Sequence, residues 1–147
     1  MYSKGSLMLN TLRHVVNDDN LWWTVIKQMV NVDFYLSETD ADAIIDFFEK
    51  ETGQSLRPTF EHYLKKSAIP TLLVDVQQKG RKRIVNYKWD NIDTDFDMPF
   101  SYEVKQRSTR LKPTSDWQKI TIKNKHWNTF RWGSDEFYVN VEYLITP

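Results

Sequence analysis

The hydrophobic period of this chain changes once, near Pro70, and that change limits the folds open to it. Before it, apolar residues recur every three or four positions, the spacing that lays one buried stripe along an amphipathic helix. Leu9, Leu12 and Val16 form such a stripe, with Met8 and Val15 beside them. Trp22, Val25, Ile26, Met29 and Val30 form a second; Ala41, Ile44, Ile45 and Phe48 a third; Leu56, Phe60, Tyr63 and Leu64 a fourth. The breaks carry residues that start and stop helices. Asn17-Asp18-Asp19-Asn20 interrupts the first, and an Asp there caps the next helix by accepting backbone N–H bonds. Thr39-x-x-Asp42 is a variant capping box with an acid in the first turn. Gly53 suits the left-handed position that closes a helix, and Pro58 suits the first turn of the next.

After Pro70 the pattern alternates. Leu72, Val74 and Val76 share one face of a strand, and Gln78-Lys79-Gly80 reads as a hairpin turn. The chain returns from Ile84 to Trp89, with Val85, Tyr87 and Trp89 on one face. Phe100, Tyr102 and Val104 make a third strand. Trp117 to Ile122 and His126 to Trp132 are further candidates, joined by Lys123-Asn124-Lys125, and Phe137, Val139, Val141 and Tyr143 make the last. The expected fold class is α+β: an N-terminal helical segment of about four helices, then an antiparallel, Ig-like β-sandwich of about seven strands. The expected division is residues 1–67, helical, and residues 68–147, sandwich.

Composition narrows the functions. Lys plus Arg equals Asp plus Glu at 20 each, which argues against a nucleic-acid groove and its basic surplus. The absence of Cys excludes disulfides and thiolate-held metals. No apolar run approaches the roughly 20 residues of a membrane span. Six Trp, seven Tyr and eight Phe suit sheets and sheet–helix interfaces.

Two passages carry a resemblance. Tyr2-x-Lys4-Gly5, followed by Met8-Leu9 and Leu12-Arg13, resembles a segment of the aminopeptidase N family of zinc metallopeptidases. Thr39-x-x-Asp42, Phe47-Phe48-Glu49, Thr52-Gly53, Leu56, Phe60, Tyr63-Leu64 and Ile69-Pro70-Thr71-Leu72 resemble, in the same order, that family's end-of-catalytic-domain passage. Beyond residue 72 the likeness rests on organisation and on Phe96-Asp97-Met98-Pro99-Phe100. The resemblance implies the C-terminal part of a metallopeptidase catalytic domain followed by its sandwich. In such enzymes His-Glu-x-x-His with a later Glu supplies the zinc ligands and the general base. Neither occurs here, and His14, His62 and His126 lie far apart. With nothing before the first helix, the chain is expected to be a fragment, inactive alone. Its partner would be the missing catalytic half. Zinc and peptide substrate belong to the full-length parent, which would remove N-terminal residues by metal-assisted hydrolysis. The resemblance gives Tyr2 a catalytic role there: its phenol stays protonated at neutral pH and donates a hydrogen bond to the tetrahedral oxyanion. Lys4 and Gly5 serve the helix start, where Gly permits close backbone approach.

Other residues invite a function, and each has a plainer reading. His14 stands one turn before Asp18, where a base could be tuned, but a surface ion pair at a helix end is the commoner outcome. Asp18-Asp19 reads as a cap rather than a metal pair, because adjacent side chains diverge. His62 reads as interfacial. Lys79-Gly80-Arg81-Lys82-Arg83 could touch an acidic partner, and a solvated hairpin with edge-protecting charges explains it more simply. Trp117, Trp127 and Trp132 could form a stacking platform for sugar rings, and packing explains them more simply. The rival to the enzyme fragment is a β-sandwich module binding carbohydrate or protein. An apolar patch around Leu9, Leu12, Trp22 and Trp23 is expected, with self-association through it.

Overall fold

The computed structural model describes residues 2–33 and 40–144, with the side chains of Tyr2, Ser3, Val32 and Asp33 outside the description. Four α-helices come first: α1 (Tyr2–Val16), α2 (Asp19–Gln28), α3 (Ala41–Thr52) and α4 (Arg57–Lys65). Their ends follow from local chemistry. Asn17 turns left-handed (φ 57°) and stops α1. Asp18 caps α2 by accepting from Leu21 N at 2.9 Å. A π-helical turn, Met29–Asp33, extends α2. Asp40 caps α3 by accepting from Ala43 N at 2.8 Å, and Thr39, which the capping-box reading favoured, lies outside the described residues. Gly53 closes α3 in the left-handed conformation, where a Cβ would be strained (φ 66°). The Glu49 carboxylate then accepts from Leu56 N and Arg57 N at 2.8 and 2.7 Å, satisfying two backbone donors at the start of α4.

Seven strands follow: β1 (Thr71–Lys79), β2 (Lys82–Asp90), β3 (Phe100–Val104), β4 (Arg107–Leu111), β5 (Gln118–Lys123), β6 (Arg131–Trp132) and β7 (Asn140–Tyr143). They form a four-stranded sheet, β5-β2-β1-β7, and a three-stranded one, β4-β3-β6. All pairings are antiparallel except β1 with β7, which run parallel from Thr71↔Asn140 to Val74↔Tyr143. β7 returns to β1 through the whole second sheet rather than a hairpin, so no tight turn dictates its direction.

Two local expectations change, and one strand was not expected. His126–Trp132 is not one strand: Asn124–Thr129 is a 3₁₀ turn, and only Arg131–Trp132 pairs with β3. Phe137 and Val139 precede β7, Phe137 as a buried residue. β4 carries no hydrophobic alternation, and its turn has Lys105 and Gln106 both at positive φ (52° and 60°) without glycine. Both central residues at positive φ is the type I′ pattern, whose handedness matches strand twist.

The buried side chains make one cluster. Leu72, Val74, Val85, Tyr87 and Trp89 of the larger sheet meet Met98, Phe100, Phe130 and Phe137, and the helices add Leu12, Val15, Trp22, Phe48, Leu56 and Phe60. Leu9, Val30, Ala41 and Leu64, expected on buried stripes, are exposed. Polar contacts fasten the helices to the strands. Thr11 Oγ1 accepts from Tyr138 N at 2.8 Å, and Tyr63 donates its phenol to Tyr138 O at 2.6 Å. From β4, Arg110 donates to His14 O at 2.8 Å and to Val15 O, satisfying carbonyls at the end of α1. No described helix is long and apolar enough to cross a membrane.

Candidate functional site

The first turn of α1 lies against the end of α4. Lys4 Nζ donates to Lys66 O at 3.0 Å, and Lys66 in turn pairs with Asp93. Tyr2 opens α1, and its side chain is outside the described residues. Gly5 has no atom within 4 Å of where a Cβ would stand, so none of the described residues makes the close approach expected there. Behind this turn a cavity of about 280 Å³ opens between α1, α3 and α4. Met8, Leu9, Met29, Ile44, Phe60 and Leu64 are among its lining residues, and Gly5 stands at its edge. The sequence signal for this cavity is the pairing of stripes on α1 and α4, which no single stripe reveals.

The neighbouring surface is apolar. Leu7, Leu9, Trp23, Val30 and Leu64 are exposed, whereas Leu12 and Trp22 of the expected patch are buried. Leu9 is 41% exposed and Trp23 50%, with the Arg13 guanidinium 5.5 Å from the Trp23 ring.

The remaining candidates sit apart. His14 Nδ1 lies 2.8 Å from Asn10 O, one turn back along α1, and its ring meets Phe137 rather than Asp18. Asp18 is engaged in capping, and Asp19 forms a two-pronged pair with Arg13 at 2.7 and 2.8 Å. That pair lowers the Asp19 pKa from the usual carboxylate value. His62 is fully buried between Tyr63 and Phe96, with Nε2 3.0 Å from Ala68 O. Burial holds its pKa below the ordinary histidine value, opposed by the Ala68 hydrogen bond and the charge of Asp93. Its Nδ1 and the nearby Thr59 Oγ1 have no hydrogen-bond partner among the described residues. On α4, Arg57 gathers Asp42, Asp46 and Glu61, which hold its pKa above the ordinary arginine value. This network ties α3 to α4 and contains no free nucleophile or base.

The three tryptophans do not share a plane. Trp127 stacks on Phe130 (5.1 Å, 7°), whereas Trp132 meets the same ring edge-on (5.0 Å, 81°). Trp117 is 47% exposed beside Lys88. The basic run occupies the turn between β1 and β2, where Gly80 takes positive φ (60°) and Arg81 does not.

The described residues do not fit zinc. Their three histidines lie on α1, on α4 and in the 3₁₀ turn, and no group of three His, Cys, Asp or Glu could hold a metal. Sequence reasoning passed over Arg110, which reaches the end of α1 from a distant strand, and named Glu49 only within the resemblance, without its role at the start of α4. The chain matches no protein-family model and no curated protein.

Proposed function

We propose that this chain is part of a zinc-dependent aminopeptidase: the end of its catalytic domain together with the β-sandwich that follows. The observation that carries the reading is spatial. The passages resembling that family lie far apart in sequence, yet the Lys4 side chain reaches the Lys66 carbonyl, and Gly5, Met8 and Leu9 line a cavity with Phe60 and Leu64. Residues that build one cleft wall are expected to gather in this way.

On this reading Tyr2 donates its phenolic hydrogen to the oxyanion of the tetrahedral intermediate, a bond made fully only in the transition state. Lys4 fixes the first turn of α1 against α4 and so orients that residue. Zinc ligation falls to a part of the enzyme other than the described residues. Exposed apolar side chains among Leu7, Leu9, Trp23 and Val30 pack against that part, and in the chain alone they are open to a second copy.

The coding sequence ahead of Tyr2 tests the proposal. His-Glu-x-x-His and a later Glu in the same reading frame support it. A native ribosome-binding site directly ahead of Met1 contradicts it. The purified chain alone is expected to leave aminoacyl anilides intact.

A further inference from the structure

Register concentrates positive charge at the end of the sandwich farthest from the α4–β1 junction. Lys79 stands opposite Lys82 across β1 and β2, and Lys82 stands opposite Lys123 across β2 and β5. Directly paired residues of neighbouring strands point to the same face, so three ammonium groups form one row across the larger sheet. Like charges so placed oppose folding. Edge protection accounts for Lys123 on an edge strand, but not for Lys82, whose strand is flanked on both sides.

No carboxylate relieves the row. Residues 76–85 and 120–130, the paired strand ends around the row and the 3₁₀ turn that follows, contain no Asp or Glu. Among the described residues, Lys79, Arg81, Lys82, Arg83, Lys123 and Lys125 form no ion pair, although the chain as a whole is neutral.

Two lysines of the row, Lys82 and Lys123, border a recess. Arg81, Lys82, Lys123, Asn124 and Lys125 line a cavity of about 500 Å³. Its walls are fastened together: Asn124 N donates to Arg81 O at 2.9 Å, and Asn124 Nδ2 donates to Gly80 O at 3.0 Å. On the other face of β2 from Lys82, the Arg83 guanidinium lies 4.6 Å from the Trp127 ring centroid, with Nε buried and lacking a hydrogen-bond partner among the described residues. The positive field reaches His126, held below its ordinary pKa by burial first and then by Lys105, Lys125 and Lys123.

We propose that this recess binds a short chain of phosphate groups, of the pyrophosphate or triphosphate class. Four lysine and arginine side chains around one cavity match an anion bearing several charges close together, and the cavity is of ligand size. Single-stranded nucleic acid is disfavoured, because Trp127 already carries Phe130 and Arg83 and is not free to stack a base. A membrane surface is disfavoured, because the turn is Gly80-Arg81 and has no apolar side chain to insert. This proposal does not depend on the aminopeptidase reading.

Calorimetric titration of the purified chain with inorganic tripolyphosphate, at low salt and without divalent cations, tests it. One-to-one binding is expected, weakening with added salt and weakening from tripolyphosphate to pyrophosphate to orthophosphate. Lys82→Gln and Lys123→Gln are each expected to weaken it by about tenfold, with thermal stability equal to or above that of the parent chain. Lys27→Gln on α2 should leave it unchanged. A parallel titration with ATP separates the sources: equal affinity assigns the site to free polyphosphate, and tighter binding assigns it to a nucleotide's triphosphate. Absence of binding at millimolar tripolyphosphate overturns the proposal. So does equal affinity for orthophosphate, unchanged affinity in both lysine variants, or binding only to phosphatidylserine vesicles.

Discussion

Leu9 and Leu12 stand one turn apart on the same helix and meet opposite surroundings. Leu12 is 0% exposed in the core, whereas Leu9, about 60° away around α1, is 41% exposed and lines the cavity between α1, α3 and α4. The contrast extends to the two halves of the chain. The helical half leaves Leu7, Leu9, Trp23, Val30 and Leu64 at the surface, whereas the sandwich leaves Trp117 and, at the end of the described residues, Tyr143 and Leu144. A helix covering a sheet needs one apolar stripe. Leu12 fills the core, Met8 and Leu9 border a cavity, and Leu7 is exposed. The helices cover the sandwich and leave a second set of apolar side chains at the surface.

Substitution along α1 measures that asymmetry. Leu12→Ala should cost about 2–5 kcal/mol in chemical denaturation, the range for deleting a buried leucine, whereas Leu9→Ala should cost less than about 1 kcal/mol. Equal costs would show that the outer face is packed as tightly as the inner one.

Tyr63→Phe probes the seam between the halves. The phenol is buried and donates to Tyr138 O, so its loss should cost about 1–2 kcal/mol by leaving a partly buried carbonyl unpaired. Burial also pushes the Tyr63 pKa well above the ordinary tyrosine value. A neutral result would mean that apolar packing alone holds the helices on the strands.

His62 gives that seam a pH dependence. Its folded pKa lies below the ordinary histidine value because of burial, so the unfolded chain binds the proton more readily. Its contribution is therefore present above about pH 6.5 and is lost as pH falls through the folded pKa. Lys4, Lys66 and Asp93 set the surrounding field, with opposite signs. Stability measured from pH 7.5 to 5 should decline by at most about 1.4 kcal/mol per pH unit for this one proton. His62→Gln should flatten the decline; an unchanged slope would assign it to other groups.

The smallest effect belongs to the sandwich. Gln106→Gly in the β3–β4 turn should stabilise by about 0.5–1 kcal/mol, because a non-glycine residue there holds positive φ. A loss of stability would show that the Gln106 side chain contributes more than its backbone conformation costs.

The helices were legible because their signals are local. The stripes, Asp18, Gly53 and Pro58 each act within a few residues, and the first strands alternate openly. β4 was not legible: Arg107-Ser108-Thr109-Arg110-Leu111 is largely exposed, and its turn lacks the Gly or Asn that marks a hairpin. The direction of β7 is invisible to periodicity, which records faces and not strand order. His126 to Trp132 offers aromatic residues at strand-like spacing, yet their packing around Phe130 is served by a 3₁₀ turn. Of the candidate site, sequence named Tyr2, Lys4 and Gly5. It could not place Leu64 and Phe60 beside Gly5, nor set Lys123 in line with Lys82, because both depend on contacts between distant segments.

The central claim is that Tyr2 begins a cleft wall and serves the transition state of peptide hydrolysis. The most direct test is steady-state kinetics of Tyr2→Phe in the enzyme that joins this chain to its zinc-binding part. The account predicts kcat lowered by about 10²–10³ with KM little changed, the signature of a bond made in the transition state alone. A variant with kcat within about twofold of the parent enzyme would contradict it.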